Sequence, residues 1–138
     1  MRPGAPLAFG LLDDVPWLGV SGNPVSAMVS FELFVRPVWR KMQGHSALFR
    51  RTVMVTVEED VKIGANLTHF LRAVVARDGD GVLVARLTGL QSSGVLTSMV
   101  KANALLIVPG DSPKVAKGSQ LKAMMLDQSL EETSVFSL

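Results

Sequence analysis

The residues whose types and spacing could do chemistry are Gly22-Asn23-Pro24-Val25-Ser26. Asparagine is among the best helix N-cap residues, because its side-chain oxygen accepts a backbone N–H of the first turn. Proline fits the first helical position, and glycine lets a ligand approach the backbone closely. Free N–H groups and the positive end of the helix dipole attract phosphate or another oxyanion there. The segment therefore predicts either an oxyanion site, with the Ser26 hydroxyl beside it, or the cap of a purely structural helix.

The other polar clusters point to ordinary structure. Glu58-Glu59-Asp60 is typical of a solvated turn, and Asp78-Gly79-Asp80-Gly81 is a strong hairpin signal. His45 and His69 each stand apart from other ligand-type residues, so no metal ligand is assigned and the catalytic residues stay unknown. A Ser-His-Asp triad stays open from sequence alone, although the chain has no Gly-x-Ser-x-Gly elbow.

Composition narrows the class of protein. The 138 residues are 48% hydrophobic, contain no cysteine and carry a net charge of +2. This is typical of a globular chain, and it excludes disulfides and a thiol nucleophile. The basic residues form no stripe interleaved with stacking aromatics, so we expect no nucleic-acid partner. No apolar run approaches the ~20 residues that span a bilayer, and no signal peptide precedes the first motif, so we expect a cytoplasmic protein without membrane contact.

Two short strands and one long helix must position the candidate site. The apolar runs at residues 7–10 and 17–20 predict the strands, and apolar residues at helical spacing predict a helix over residues 24–43. A kink is expected at Pro37, because its ring removes a backbone hydrogen bond. Gly44 suits the position just after a helix end. These few elements cannot cover the apolar face of the helix, so the chain is expected to be part of a longer protein.

The pattern changes from helix to strand after His45. Strands are predicted over residues 51–58, 68–77, 82–87, 104–108 and 120–126, with a short helix ending near Lys101. Short strands separated by Gly and Pro turns predict a small antiparallel barrel or sandwich. The boundary between the two parts is expected at residues 44–48.

Several segments occur in an order and spacing that resemble a known family. They are Met1–Gly10, Gly22–Ala27 leading into Phe31–Pro37, Phe70–Ala73, Thr88-Gly89, Gln91-Ser92-Ser93, Leu96, Ser98-Met99 and Ala102–Leu106. Together they resemble the molybdenum insertases of molybdenum-cofactor synthesis, which include the bacterial molybdopterin molybdotransferases and the E domain of gephyrin-like proteins. The resemblance extends over roughly residues 1–126.

The resemblance implies an α+β fragment. Residues 1–45 would be the C-terminal remnant of a three-layer α/β domain that binds molybdopterin, and residues 46–126 would be an all-β C-terminal barrel domain. Residues 127–138 read as a polar tail.

The resemblance also implies a function for the parent protein. The family inserts molybdenum from molybdate into adenylylated molybdopterin, releases AMP and needs a divalent cation such as Mg²⁺. A homodimer is expected, with a molybdopterin adenylyltransferase as a possible further partner, and the fragment alone is expected to be inactive. The alternatives are a non-catalytic scaffold or regulatory paralogue of the same fold and a standalone anion-binding domain.

The family's molybdate and pterin site maps residue by residue onto this chain. By resemblance the site residues are Arg2, Pro6, Gly22, Asn23, Pro24, Ser26 and Ser93. Arg2 keeps a positive charge, whereas Ala5 and the region of Leu67 lack charges that the family has, although Arg72 lies close by. The resemblance therefore leaves three readings: a weaker site, a site in which other groups substitute, or a divergent paralogue.

Overall fold

A β-hairpin comes first in the computed structural model of this chain, which describes residues 1–64, 66–91 and 96–126. Strand β1 (Ala8–Leu12) pairs antiparallel with β2 (Val15–Gly19). Asp13 and Asp14 connect them with φ of 48° and 61°. Positive φ at both central residues is what a two-residue type I′ turn requires, and aspartate tolerates it better than most residues. The two predicted strands are therefore confirmed.

The helical run after the hairpin has three parts. Helix α1 (Pro24–Ser30) is followed by a π-helical turn (Phe31–Val35) and by α2 (Arg36–Met42). Pro37 has no N–H to donate to the carbonyl of Leu33. The turn before it is wider than an α-helical turn, since the Arg36 N–H donates to the Phe31 carbonyl five residues back. A π-helical turn thus precedes Pro37, and the kink expected at Pro37 stays a prediction.

The helix ends as its sequence predicts. Gly44 has a φ of +82°, and its N–H donates to the Lys41 carbonyl at 3.0 Å. The His45 N–H donates to the Arg40 carbonyl at 3.1 Å. These two bonds form a Schellman motif, in which a glycine at C′ satisfies carbonyls that the helix leaves open.

The rest of the described chain forms a small barrel. Its elements are β3 (Thr52–Val57), β4 (Val61–Lys62), β5 (His69–Arg77), β6 (Leu83–Leu87), α3 (Leu96–Val100), β7 (Ala104–Val108), β8 (Lys114–Val115) and β9 (Gln120–Met125). Strands β3-β6-β5-β7-β9 close on themselves in that order, and β4 and β8 form a separate two-stranded ribbon. The predicted barrel is confirmed. One correction concerns strand direction, because β3 and β6 pair parallel while the other neighbours in the barrel pair antiparallel.

Small and β-branched residues fill the barrel interior. Ala73, Ala85, Ala104 and Ala123 are completely buried there, together with valines such as Val55 and Val57. A five-stranded barrel is narrow, so alanine and valine fit where larger side chains on every strand would not. Strand β7 is buried on both faces, which explains why Ala104–Val108 is a continuous apolar run rather than an alternating one.

The helix packs against the outside of this barrel. Val29 and Leu33 share one apolar cluster with Phe70, Leu105 and Ile107 of the barrel wall. The opposite side of the helical run is open, and Trp39 is 55% exposed there. The sequence predicted that the apolar face of the helix would not be fully covered by other elements, and the exposure of Trp39 agrees with that prediction. The division into residues 1–45 and 46–126 and the three-layer α/β domain stay predictions, and residues 127–138 lie outside the described residues.

No helix among residues 1–64, 66–91 and 96–126 combines the length and apolar character needed to cross a membrane.

Candidate oxyanion-binding site

One cavity of about 650 Å³ brings together basic and polar residues from distant parts of the chain. It lies where the N-terminal segment, the start of α1, the β4–β8 ribbon and strand β5 meet. The polar residues of its lining are Arg2, Ser26, Lys62, His69, Arg72 and Gln91. No aspartate or glutamate is among the described residues that line it. The cavity is therefore electropositive and suited to an anion.

Backbone hydrogen bonds fix the N-terminal segment at the mouth of this cavity. Arg2 forms a parallel bridge with His69, in which the Arg2 N–H donates to the Thr68 carbonyl at 2.9 Å and the Phe70 N–H donates to the Arg2 carbonyl at 2.8 Å. The Ser30 hydroxyl donates to the Gly4 carbonyl at 3.1 Å, which ties the same segment to α1. The exposed guanidinium of Arg2 is thus held beside the barrel.

The start of α1 has the cap that its sequence predicts. Asn23 is the N-cap residue, and its Oδ1 accepts the Ser26 N–H at 3.3 Å, with Pro24 in the first turn. This bond uses both the Asn23 side-chain oxygen and the Ser26 N–H. The Ser26 side chain lines the cavity although the residue is 94% buried, since only 6% of it is exposed. Ser26 is therefore the residue of this turn that lines the cavity.

Arg72 forms the floor of the cavity. It is completely buried, with Nε donating to the Ser98 hydroxyl at 3.0 Å and an Nη donating to the Leu90 carbonyl at 3.3 Å. Its backbone N–H donates to Oε1 of Gln91 at 2.9 Å, and its carbonyl accepts from Nε2 of Gln91 at 3.1 Å. Burial lowers the pKa of the Arg72 guanidinium. The residue thereby holds the loop before α3 against β5.

His69 has a buried nitrogen that its neighbours leave unpaired. The residue is only 9% exposed, and among the described residues its Nε2 has no hydrogen-bond partner. Burial, and then the positive charges of Arg2 and the amino terminus, lower the pKa of the His69 imidazole. The ring is therefore neutral in the folded protein at pH 7, and protonating it is less favourable in the folded chain than in the unfolded chain.

The depressed pKa of His69 predicts how stability depends on pH. The unfolded chain binds a proton near pH 6.5, and the folded chain binds it only at lower pH, so the free energy of unfolding falls as the pH drops through 6.5 towards the folded pKa. Urea denaturation between pH 7.5 and 5 should show this loss, and His69→Gln should remove it. The exposed His45 is the matched control, and His45→Gln should keep the wild-type profile. A His69→Gln profile that follows the wild type would contradict the assignment.

The site residues expected from sequence do not all reach this cavity. Arg2 and Ser26 line it, and so does Ala5. Pro6, Gly22, Asn23 and Pro24 lie outside its lining, and Ser93 lies outside the described residues. Leu67 lines a different cavity. Lys62, Gln91 and His69 were not predicted as site residues. Strand β4 is too short to give a strand signal that would place Lys62, and a lone histidine such as His69 matches no motif.

Comparison with known proteins shows what the chain resembles. Residues 55–126 match the family model of the MoeA C-terminal region (domain IV). Over 132 residues the chain is 29% identical to a molybdopterin molybdenumtransferase from Staphylococcus aureus, covering 96% of this chain and 31% of that one. The same enzyme of Staphylococcus epidermidis is 28% identical, over 95% of this chain and 31% of the relative.

Solved structures agree with the family match. The crystal structure of the molybdopterin biosynthesis moeA protein from Pyrococcus horikoshii OT3 aligns with a TM-score of 0.70 and 28% identity, covering 90% of this chain and 30% of that one. A molybdenum cofactor biosynthesis protein from Pyrococcus furiosus aligns with a TM-score of 0.67 and 26% identity, over 90% of this chain and 42% of that one. The chain thus spans about a third of the length of the curated relatives it matches.

Proposed function

This chain belongs to the family of MoeA C-terminal regions, and from that premise we propose that it forms part of an enzyme that inserts molybdenum from molybdate into adenylylated molybdopterin with release of AMP. Two relatives named molybdopterin molybdenumtransferase, each matched over most of this chain, support the reaction class. Because the chain corresponds to about a third of such a protein, the complete reaction belongs to the longer protein.

The observation that carries the proposal is the electropositive cavity. Arg2 and Lys62 bring exposed positive charges to it, and Arg72 and Ser26 are buried residues of its lining. Molybdate is a tetrahedral dianion that accepts hydrogen bonds on every oxygen, and charge-assisted bonds to such an anion are the strong ones. The planar fork of Arg2 suits two oxygens at once. These residues would hold and orient molybdate as a substrate, while the pterin enters from the open side.

The cavity does not suit the divalent cation that the family resemblance implies. Its described lining has basic residues and no carboxylate. Among residues 1–64, 66–91 and 96–126 there is no group of three or more His, Asp or Glu placed to hold a metal ion. Hard cations such as Mg²⁺ are bound through carboxylates and phosphate oxygens. The residues of this cavity therefore do not fit Mg²⁺, and the proposed role of the cavity is to bind molybdate.

A scaffold or regulatory paralogue of the same fold is the second candidate. The observation that favours it is the missing charge at Ala5 and Leu67, where the resemblance implies basic residues. Association with a second copy or with a molybdopterin adenylyltransferase is part of either proposal. The exposed apolar residues of the first hairpin and the helical run, such as Phe9 and Trp39, support such an association.

Molybdate affinity tests the proposed site directly. Removing one hydrogen bond to a charged ligand costs about 1.5–3 kcal/mol, so Ser26→Ala should weaken molybdate binding by about 10- to 100-fold in calorimetric titrations of the full-length protein. Ala5→Lys should strengthen it, because it adds a charge to the same wall. Ser46→Ala, at an exposed serine beyond the helix, is the matched control and should bind like the wild type. Unchanged affinity in folded Ser26→Ala and Ala5→Lys proteins would show that molybdate binds elsewhere.

A further inference from the structure

The β4–β8 ribbon places a lysine at the cavity. In this ribbon Val61 pairs with Val115 and Lys62 pairs with Lys114. Both valines are buried in the barrel's core cluster, so the ribbon covers one end of the barrel with its apolar face. Side chains alternate between the two faces of a strand, and both lysines are therefore on the exposed side. Of the two, only Lys62 lines the cavity.

The pairing of these lysines is unfavourable by itself. Like charges directly opposite each other on antiparallel strands destabilise the pair. Within the described part of the chain, neither Lys62 nor Lys114 has an ion-pair partner. An anion in the cavity would offset this repulsion at Lys62.

A second, independent observation points to a ligand in the same place. His69 also lines the cavity, and its buried Nε2 is unpaired among the described residues. Buried polar atoms without a partner are rare, because they lose their hydration and gain nothing in return. Arg2 and Lys62 thus approach the cavity from different segments, and His69 with its unpaired Nε2 belongs to the same lining.

We propose that Lys62 is a binding residue for the oxyanion of this cavity and supplies the positive charge that Ala5 does not. The inference rests on the proposed function, since it concerns the same cavity. It selects one of the three readings that the resemblance left open, namely that another group substitutes for the missing charge. The ammonium of lysine is a point charge on a flexible stem, so it can reach an oxyanion in the cavity without a fixed geometry.

A charge-matched pair of variants tests this role. Lys62→Gln and Lys114→Gln each remove one positive charge from the same ribbon, and the probe is sodium molybdate titrated by calorimetry into the full-length protein. Lys62→Gln should weaken binding by at least 10-fold and reduce its dependence on salt, because a direct ion contact is lost. Lys114→Gln should weaken binding clearly less than Lys62→Gln, since Lys114 does not line the cavity.

A rescue variant separates this inference from the proposed function. If Lys62 supplies the charge missing at position 5, Ala5→Lys should restore most of the affinity that Lys62→Gln loses. Thermal unfolding shows that each variant is folded, and both glutamine variants should be at least as stable as the wild type because they relieve the lysine repulsion. Equal effects of Lys62→Gln and Lys114→Gln, with a large loss in Ser26→Ala, would overturn the role of Lys62 and leave the site intact. No change in any of these variants would overturn the site itself.

Discussion

Arg72→Met is expected to lower the free energy of unfolding by about 3–5 kcal/mol. Arg72 is completely buried, and its guanidinium donates to the Ser98 hydroxyl and the Leu90 carbonyl. Hydrogen bonds of a charged donor contribute about 1.5–3 kcal/mol each, and the substitution removes both of these bonds. Methionine keeps the length and packing of the stem, so the loss reports on the polar contacts. Urea denaturation at pH 7 measures it.

The control for this prediction is an exposed arginine of the same barrel. Arg86 on β6 forms an ion pair with Glu58 at 3.1 Å, and its side chain is 71% exposed. Exposed pairs contribute about 0–1 kcal/mol, so Arg86→Met should change stability within that range. If Arg72→Met were no more damaging than Arg86→Met, the buried guanidinium would not be the residue that fixes the floor of the cavity.

Leu33→Ala is expected to lower the free energy of unfolding by about 2–5 kcal/mol. Leu33 is only 4% exposed and lies in the cluster that joins the helical run to Phe70 and Ile107 of the barrel. Truncating a buried leucine removes its transfer free energy and leaves a cavity. Phe31→Ala, in the same π-helical turn but at a residue 41% exposed, should cost clearly less.

The same variant tests whether residues 46–126 fold independently. A cooperative unit would unfold in a single transition, so Leu33→Ala should shift the fluorescence of Trp39 in the helix and the far-ultraviolet signal of the barrel together. An autonomous barrel would keep its own transition at the wild-type denaturant concentration while the helical signal is lost earlier. The sequence predicts an autonomous barrel with a boundary at residues 44–48, whereas the apolar cluster shared by helix and barrel favours the single transition.

Local signals in the sequence determined most of the secondary structure. The Asp13-Asp14 turn, the Asn23-Pro24 helix start, the Gly44 helix end and the barrel strands β3, β5, β6, β7 and β9 follow from residue types within a few positions of one another. Such features depend on intrinsic φ and ψ preferences and on side chains that bond to nearby backbone. Periodicity also predicted the barrel, because short strands with a buried face must close or stack to cover it.

Pairing between distant strands was decided only by tertiary structure. The parallel β3–β6 pair, the closed strand order and the two-residue strands β4 and β8 are absent from any local pattern. A two-residue strand has no measurable period, and its existence depends on the partner that supplies its hydrogen bonds. The packing of the helical run on the barrel likewise depends on residues that are far apart in the chain.

The candidate site shows the same division. Ser26 at a capped helix start could be singled out from five neighbouring residues, and Arg2 from the family resemblance. Lys62, His69 and Gln91 became part of one cavity only because the barrel, the ribbon and the N-terminal segment meet there. The sequence by itself determined the helix start and its hydroxyl, since capping is a local interaction. The tertiary structure decided which charges surround that hydroxyl, because an electrostatic site sums over residues brought together through space rather than along the chain.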